Sequence, residues 1–358
     1  MKMKQLIATR TLQGVLLASV WFFVQPASAL PRIKVLATGG TIAGAQSSTA
    51  DAGYKSGTFS VDDLIKAVPA MTNLAELSGE QVANIGSQTM NHEVWLKLAK
   101  RVNEVLAGDT DGVVITHGTD TMEETAYFLS LVVDSDKPVI LVGSMRPATA
   151  IGADGPANLY NAVALAADPQ ATGRGPLVVL NDTIHYAREA QKTHTTHLDT
   201  FKSPNRGIAG VMNTGKAYFY NRGLTRTSSR APFSLEGLTA ANLPYVEIVY
   251  SYANLGAGPV EDAVMRGAKG IVLAGVGDGN TTDAALAALQ KAAAQGVIVV
   301  RSSRVGSGIV DRNVEINDDK MGFITAMELS PQKARILLML GLTQTKDLQQ
   351  LQKLFTEY

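Results

Sequence analysis

The sequence has no cysteine among its 358 residues. That excludes disulfide staples and thiolate metal centres. A chain of this length buries enough surface to fold without cross-links and is expected to divide into two domains. Neither sign of charge dominates, with 32 basic residues against 32 acidic. No basic stripe offers a phosphate-backbone footprint, so a nucleic-acid partner is not expected. Runs of about 20 apolar residues are missing as well, so no segment is expected to span a bilayer.

What is present begins with a leader. Lys2, Lys4 and Arg10 form a basic start, Gly14–Val24 an apolar stretch, and Ala27-Ser28-Ala29 a small-residue cleavage site. Residues 1–29 are therefore read as a signal peptide and the protein as exported to the periplasm. Removing three basic residues and no acid leaves 29 basic against 32 acidic, a mildly acidic mature chain.

Beyond the leader, short apolar runs alternate with amphipathic stretches. Ile33–Ala37, Val113–Thr116, Pro138–Val142 and Pro176–Leu180 read as buried parallel strands. His92–Leu106 places Trp95, Leu98, Val102 and Val105 or Leu106 at helical spacing behind an Asn91 cap. Thr121–Leu131 and Leu159–Ala167 also look helical. Between 220 and 243 no period persists, which marks a linker. The alternation restarts with strands at Val246–Tyr250, Gly270–Leu273 and Val297–Val300, separated by helices at Val260–Gly267 and Thr281–Gln295. The tail from Pro331 to Phe355 reads as helix, broken near Gly341. The expected class is α/β: a larger N-terminal, mostly parallel-sheet domain over 30–219, then a smaller C-terminal α/β domain over 244–358.

Two segments carry chemistry. Val35–Gly44 runs a strand into Gly39-Gly40-Thr41, and Val113–Asp120 runs another into Gly118-Thr119-Asp120. A parallel sheet presents its chemistry at strand ends, and glycine lets backbone approach a ligand closely. Two such threonines, one followed by an acid, suggest hydrolysis with a hydroxyl nucleophile. Thr41 also fits a turn threonine bonding its own backbone. Asp120 also fits a cap on the next helix, with Glu123 completing a capping arrangement. Lys192 lies in a polar stretch, where a lone lysine is usually solvated. Tyr54 sits in a polar loop, 45–59, long enough to act as a lid.

Other readings are weaker. Gly275-Val-Gly-Asp-Gly-Asn280 follows a strand but lacks the dinucleotide spacing, and no phosphate loop occurs. His194-Thr-Thr-His197 lacks the acid and third ligand of a zinc helix, so no metal or other cofactor is expected. His117 has no serine elbow to serve. A non-catalytic periplasmic binding protein also has a leader and two α/β domains. It would show no turnover.

Taken together, Leu36–Gly44, Thr116–Ala126, Gly143–Pro147, Ala153–Pro156 with Asn158–Val163, Arg301–Arg304 and Pro331–Leu338 identify a family. In that order, over essentially the whole mature chain, the sequence resembles the bacterial type II L-asparaginases, which include glutaminase-asparaginases. The resemblance implies hydrolysis of L-asparagine to L-aspartate and ammonia, with L-glutamine as a secondary substrate. It also implies a homotetramer built as a dimer of tight dimers. It places Thr41 at the nucleophile, Tyr54 at a loop tyrosine, and Ser87 and Gln88 at substrate-holding positions. Thr119, Asp120 and Lys192 fall on a second hydroxyl, its acid and a buried lysine. Asn280 and Glu315 fall on residues lent by a neighbouring subunit. Ser144, Asp278 and Thr89 depart from the common pattern, which bears on the choice between asparagine and glutamine.

Exported protein is expected to begin at Leu30, because Ala27 and Ala29 occupy the positions a signal peptidase reads. The intact mass of the periplasmic product checks this; a full-length, membrane-retained product contradicts it.

Overall fold

The computed structural model describes residues 29–47, 53–223 and 231–358. Nearly all of the expected leader lies outside these residues, as do positions 48–52 of the lid loop and 224–230 of the expected linker.

The first strand, β1 (Arg32–Gly39), leads into a short helical turn at Thr41–Ala43, then a small hairpin of β2 (Ala45–Gln46) and β3 (Tyr54–Lys55). Next come α1 (Val61–Lys66), β4 (Glu76–Ile85), α2 (His92–Ala107), β5 (Gly112–Thr116) and α3 (Met122–Val132). They are followed by β6 (Val139–Val142), α4 (Gly155–Ala166) and β7 (Pro176–Leu180). Five short strands complete this half: β8 (Thr183–Tyr186), β9 (Gln191–Lys192), β10 (Phe201–Lys202), β11 (Gly210–Asn213) and β12 (Lys216–Phe219).

Eight of these strands form one sheet in the order β12-β11-β8-β7-β6-β5-β1-β4. From β4 to β7 the neighbours run parallel; β8, β11 and β12 pair antiparallel. Every residue of β5, β6 and β7 is buried, as strands covered by helices on both faces must be. α2 turns Trp95, Leu98, Val102, Val105 and Leu106 inward, and Asn91 caps it by accepting from the Val94 N–H at 3.0 Å. β4 has no counterpart in the apolar pattern. It lies at the sheet edge, pairs only with β1 and buries only Val82, so its sequence stays polar.

The second half holds β13 (Val246–Tyr250), α5 (Gly258–Met265), β14 (Gly270–Gly275), α6 (Asp283–Ala294) and β15 (Ile298–Ser303). It ends with α7 (Asp318–Met321), β16 (Phe323–Thr325), α8 (Pro331–Gly341) and α9 (Leu348–Glu357). Its four strands are all parallel, in sequence order. The architecture is thus the expected larger, mostly parallel N-terminal domain followed by a smaller α/β domain. α8 joins them, packing on α3 of the first domain and on β13 and β14 of the second. Within the segment read as a linker, Phe233 is buried in the core that both domains share.

Two buried histidines make this fold sensitive to acid. His185 on β8 meets the Ser203 hydroxyl at 2.8 Å, while its Nε2 is buried with no hydrogen-bond partner among the described residues. Burial pushes both His185 and His117 down from 6.5 to about 4. The unfolded chain therefore binds more protons between pH 6.5 and 4. Stability is complete above 6.5 and is lost as pH falls towards 4, by roughly 3 kcal/mol per histidine. Urea unfolding at pH 7 and pH 4.5 should show that loss, and His185→Gln should reduce it. An unchanged difference in the variant would assign the acid sensitivity to other groups.

Candidate active site

Adjacent parallel strands end in hydroxyl residues. Ser87 follows β4, Thr41 follows β1, Thr119 follows β5 and Ser144 follows β6. These four strands are neighbours in the sheet, so residues far apart in sequence converge on one edge. Glycines allow the convergence. A side chain on Gly40, whose φ is +83°, would lie 2.4 Å from the Gly118 nitrogen. One on Gly118 would lie 2.6 Å from Ser87 Oγ. The turns therefore touch backbone to backbone.

Thr41 is buried at the start of the short helical turn after β1, and its Oγ1 lies 2.7 Å from Tyr54 Oη. The β2–β3 hairpin brings Tyr54 there, with Gln46 opposite Tyr54 and Ala45 opposite Lys55. Gly44 makes room: a side chain at that position would meet the Tyr54 ring at 2.8 Å. Tyr54 remains 44% exposed, so it closes the outer side of the threonine.

A second array surrounds Lys192, on β9. Its Nζ donates to Thr119 Oγ1 at 2.9 Å and to Asp120 Oδ1 at 2.6 Å. The lysine side chain is 15% exposed and the Asp120 side chain 58%, so the pair faces an opening. Asp120 does not cap α3. Thr121 is the N-cap, and it makes no side-chain capping bond. Instead the Asp120 N–H donates to Ser87 Oγ at 3.1 Å, and Thr121 Oγ1 donates to the Ser87 carbonyl at 2.8 Å. Glu123, expected at most to assist a cap, is buried and accepts from the Lys192 backbone N–H at 2.7 Å. Burial together with that Glu123 charge pushes the next carboxyl, Glu124, up to about 7.

His117 is structural. Trp95 Nε1 donates to Thr125 Oγ1 at 2.8 Å, Thr125 Oγ1 lies 2.8 Å from His117 Nε2, and His117 Nδ1 lies 2.7 Å from the Gly118 carbonyl. A neutral ring protonated at Nδ1 satisfies this chain, in keeping with the burial that disfavours its charge, and fixes the peptide ahead of Thr119. His194 and His197 are exposed and stacked, and His194 Nδ1 accepts the Thr196 and His197 N–H groups. The Ser144 hydroxyl donates to the Arg146 carbonyl at 2.7 Å and is wholly buried.

Ser87 is buried beside Gly118, whereas Gln88 is exposed. Asn280 and Glu315 belong to the other domain. Asn280 closes a tight turn with Val276 through two 2.8 Å backbone bonds, and Glu315 is exposed. Among the described residues, neither hydrogen-bonds to Thr41, Thr119 or Lys192. Both loops hang on one buried ion pair. Arg301 reaches both Asp318 oxygens at 2.6 and 2.8 Å, then donates to the Asp278 and Asp311 carbonyls at 3.0 and 2.9 Å.

Comparison with known proteins gives the family. The family model "Asparaginase, N-terminal" matches residues 32–224, and "Glutaminase/Asparaginase C-terminal domain" matches residues 245–355. The chain belongs to the asparaginase family. A probable periplasmic L-asparaginase of Haemophilus influenzae is 51% identical, over 93% of this chain and 94% of its own length. L-asparaginase 2 of Escherichia coli is 50% identical, over 96% and 98%. A glutaminase-asparaginase of Pseudomonas fluorescens biotype A is 45% identical, over 94% and 92%. The crystal structure of a probable cytoplasmic L-asparaginase from Campylobacter jejuni superposes with a TM-score of 0.88 at 49% identity. It covers 92% of this chain and all of that one.

In this asparaginase-family chain, two residues near Lys192 went unnoticed in the sequence. Gln332 Nε2 donates to Glu123 Oε1 at 2.6 Å, and Lys333 Nζ donates to the Arg188 and Ala190 carbonyls at 2.8 and 2.5 Å. Both stand in the Pro331–Leu338 segment that carries the family resemblance, where the sequence reads as helix and gives neither residue a partner.

Proposed function

We propose that this chain hydrolyses L-asparagine to L-aspartate and ammonia through an acyl ester on Thr41, with L-glutamine as a secondary substrate. The observation that carries this reading is the pair of hydroxyls at the ends of the neighbouring strands β1 and β5, Thr41 bonded to Tyr54 and Thr119 to Lys192. An unactivated amide requires a nucleophile, a proton path and donors for the developing oxyanion. Thr41 Oγ1 attacks the amide carbon. Tyr54, 2.7 Å away, takes the hydroxyl proton and returns its own to the departing nitrogen, so the C–N bond breaks with ammonia leaving. Backbone N–H groups of the glycine turns face the oxyanion. Water then cleaves the ester, oriented by the Thr119–Lys192–Asp120 array, and Thr41 recovers its proton. Ser87 and Gln88 hold the substrate's α-substituents, and Asp120 faces its ammonium.

One methylene distinguishes the two amides, and that is worth only about 1–3 kcal/mol in a pocket. Glutamine is therefore expected to be turned over as well, with asparagine read as preferred. Thr41→Ala should fold normally and lose several orders of magnitude in kcat, roughly 5 kcal/mol or more. Ammonia release from each amide measures this, and acid quenching of the wild type should trap the acyl group on Thr41. An acyl group on Thr119 would reverse the two roles.

The reading also includes export to the periplasm, the division at 30–219, 220–243 and 244–358, and a homotetramer of tight dimers. It has Asn280 and Glu315 completing the partner subunit's site. The exposure of Glu315, and of Val314 beside it at 69%, on a loop anchored by Arg301 and Asp318 supports this. Thr41→Ala and Glu315→Ala chains refolded together should regain about a quarter of wild-type activity, since half the random dimers then hold one intact site of two. A mixture no more active than the mean of its parents would mean that each site is built from a single chain.

A further inference from the structure

The segment that delivers Lys192 has little regular structure of its own. β9 is two residues long and pairs only with the equally short β10, Lys192 opposite Phe201. A lysine on so short a ribbon is not positioned by the main sheet. Its backbone is held from the other domain. The first turn of α8 sends Gln332 to Glu123, and the other oxygen of Glu123 takes the Lys192 N–H. Lys333, also from α8, enters the interior and donates to the carbonyls of Arg188 and Ala190, the fourth and second residues before Lys192. Lys333 is almost fully buried, and burial pushes its ammonium down to about 8 even though Glu123 and Glu189 favour the charge. A buried cation is costly unless its bonds are needed where they are made.

We propose that Gln332 and Lys333 are positioning residues for Lys192. Through Glu123 and two carbonyls, the C-terminal domain sets where the lysine ammonium meets Thr119 and Asp120. This inference rests on the catalytic reading of Lys192. Among the hydrogen bonds of the described residues, neither Gln332 nor Lys333 bonds to Thr41, Tyr54, Ser87 or Gln88, so the proposed substrate contacts of Ser87 and Gln88 are left in place. Loosening the segment moves the lysine relative to Thr119, and displacements of about 1 Å at a reacting group cost up to a hundredfold in rate. The docking of the two domains thereby becomes a condition for turnover.

Gln332→Met keeps the side-chain length and removes the donor. It should lower kcat at least tenfold while KM stays within threefold and the far-ultraviolet circular dichroism is unchanged. Hydrogen exchange in a peptide spanning 188–193 should quicken tenfold, with α2 and α3 protected as before. Should Gln332→Met fail to fold, Gln332→Glu keeps the shape, sets like charges together and is expected to give the same readings. Wild-type kcat and wild-type exchange in either folded variant overturn the proposal. Lys192→Met, measured in parallel, separates the two claims. If it retains kcat, the catalytic reading of the lysine fails, while the exchange data still report whether Gln332 holds the segment.

Discussion

The site depends on the contact between the turns that end β1 and β5. Neighbouring parallel strands bring their carboxyl ends within about 5 Å of each other, and the following residues normally diverge. Here Gly40 rests on Gly118 so closely that a single methyl group on either would overlap the other turn or Ser87. The close approach sets the residues that follow the two glycines, Thr41 and Thr119, on adjoining turns. The Gly40 N–H is itself tied back to the Ile85 carbonyl at 3.1 Å, which fixes the turn against β4. Thr38 reinforces the contact from below by donating to the Thr116 carbonyl at 2.9 Å.

Around that contact the chain builds two separate supports. Tyr54 is delivered by a two-residue ribbon and stands 44% exposed on the outer side of Thr41. Lys192 is delivered by a segment pinned to the interior through Glu123, Gln332 and Lys333. One support is short and outward-facing, the other is tied into the interior. His117, buried and bonded at both ring nitrogens, belongs to the second kind, because it locks the peptide ahead of Thr119.

The smaller domain supports both arrangements. α8 fills the seam between the sheets and carries the residues that reach Glu123 and Arg188. The Arg301–Asp318 pair, buried with nearly every donor used, gathers the 276–280 turn and the 311–318 loop. Isolated, each loop would be loose; held by one guanidinium, the two present Asn280 and Glu315 from a fixed base. Removing either partner would leave a bare charge in the interior, which is far more costly than losing the bond itself.

By itself, the sequence determined the elements whose burial is complete. β5, β6 and β7 are apolar on both faces, and α2 repeats its apolar residues every turn, because helices and sheet must cover one another. The glycine-threonine turns were legible for a similar reason: no other residue tolerates that backbone and that proximity. β4 was not legible, since an edge strand with one buried residue leaves no apolar period, although it sets Ser87 beside the other hydroxyls. The partners of Lys192 were also hidden. Asp120 and Glu123 read locally as a helix cap, and the structure gives the first to the lysine ammonium and the second to its backbone. Gln332 and Lys333 stand some 140 residues beyond the lysine, at |i−j| of 143 and 145 from the carbonyls that Lys333 holds. Pairings of that kind leave no local trace. They arise only when two domains close on a shared core and every buried polar group must find whatever partner the packing brings within reach.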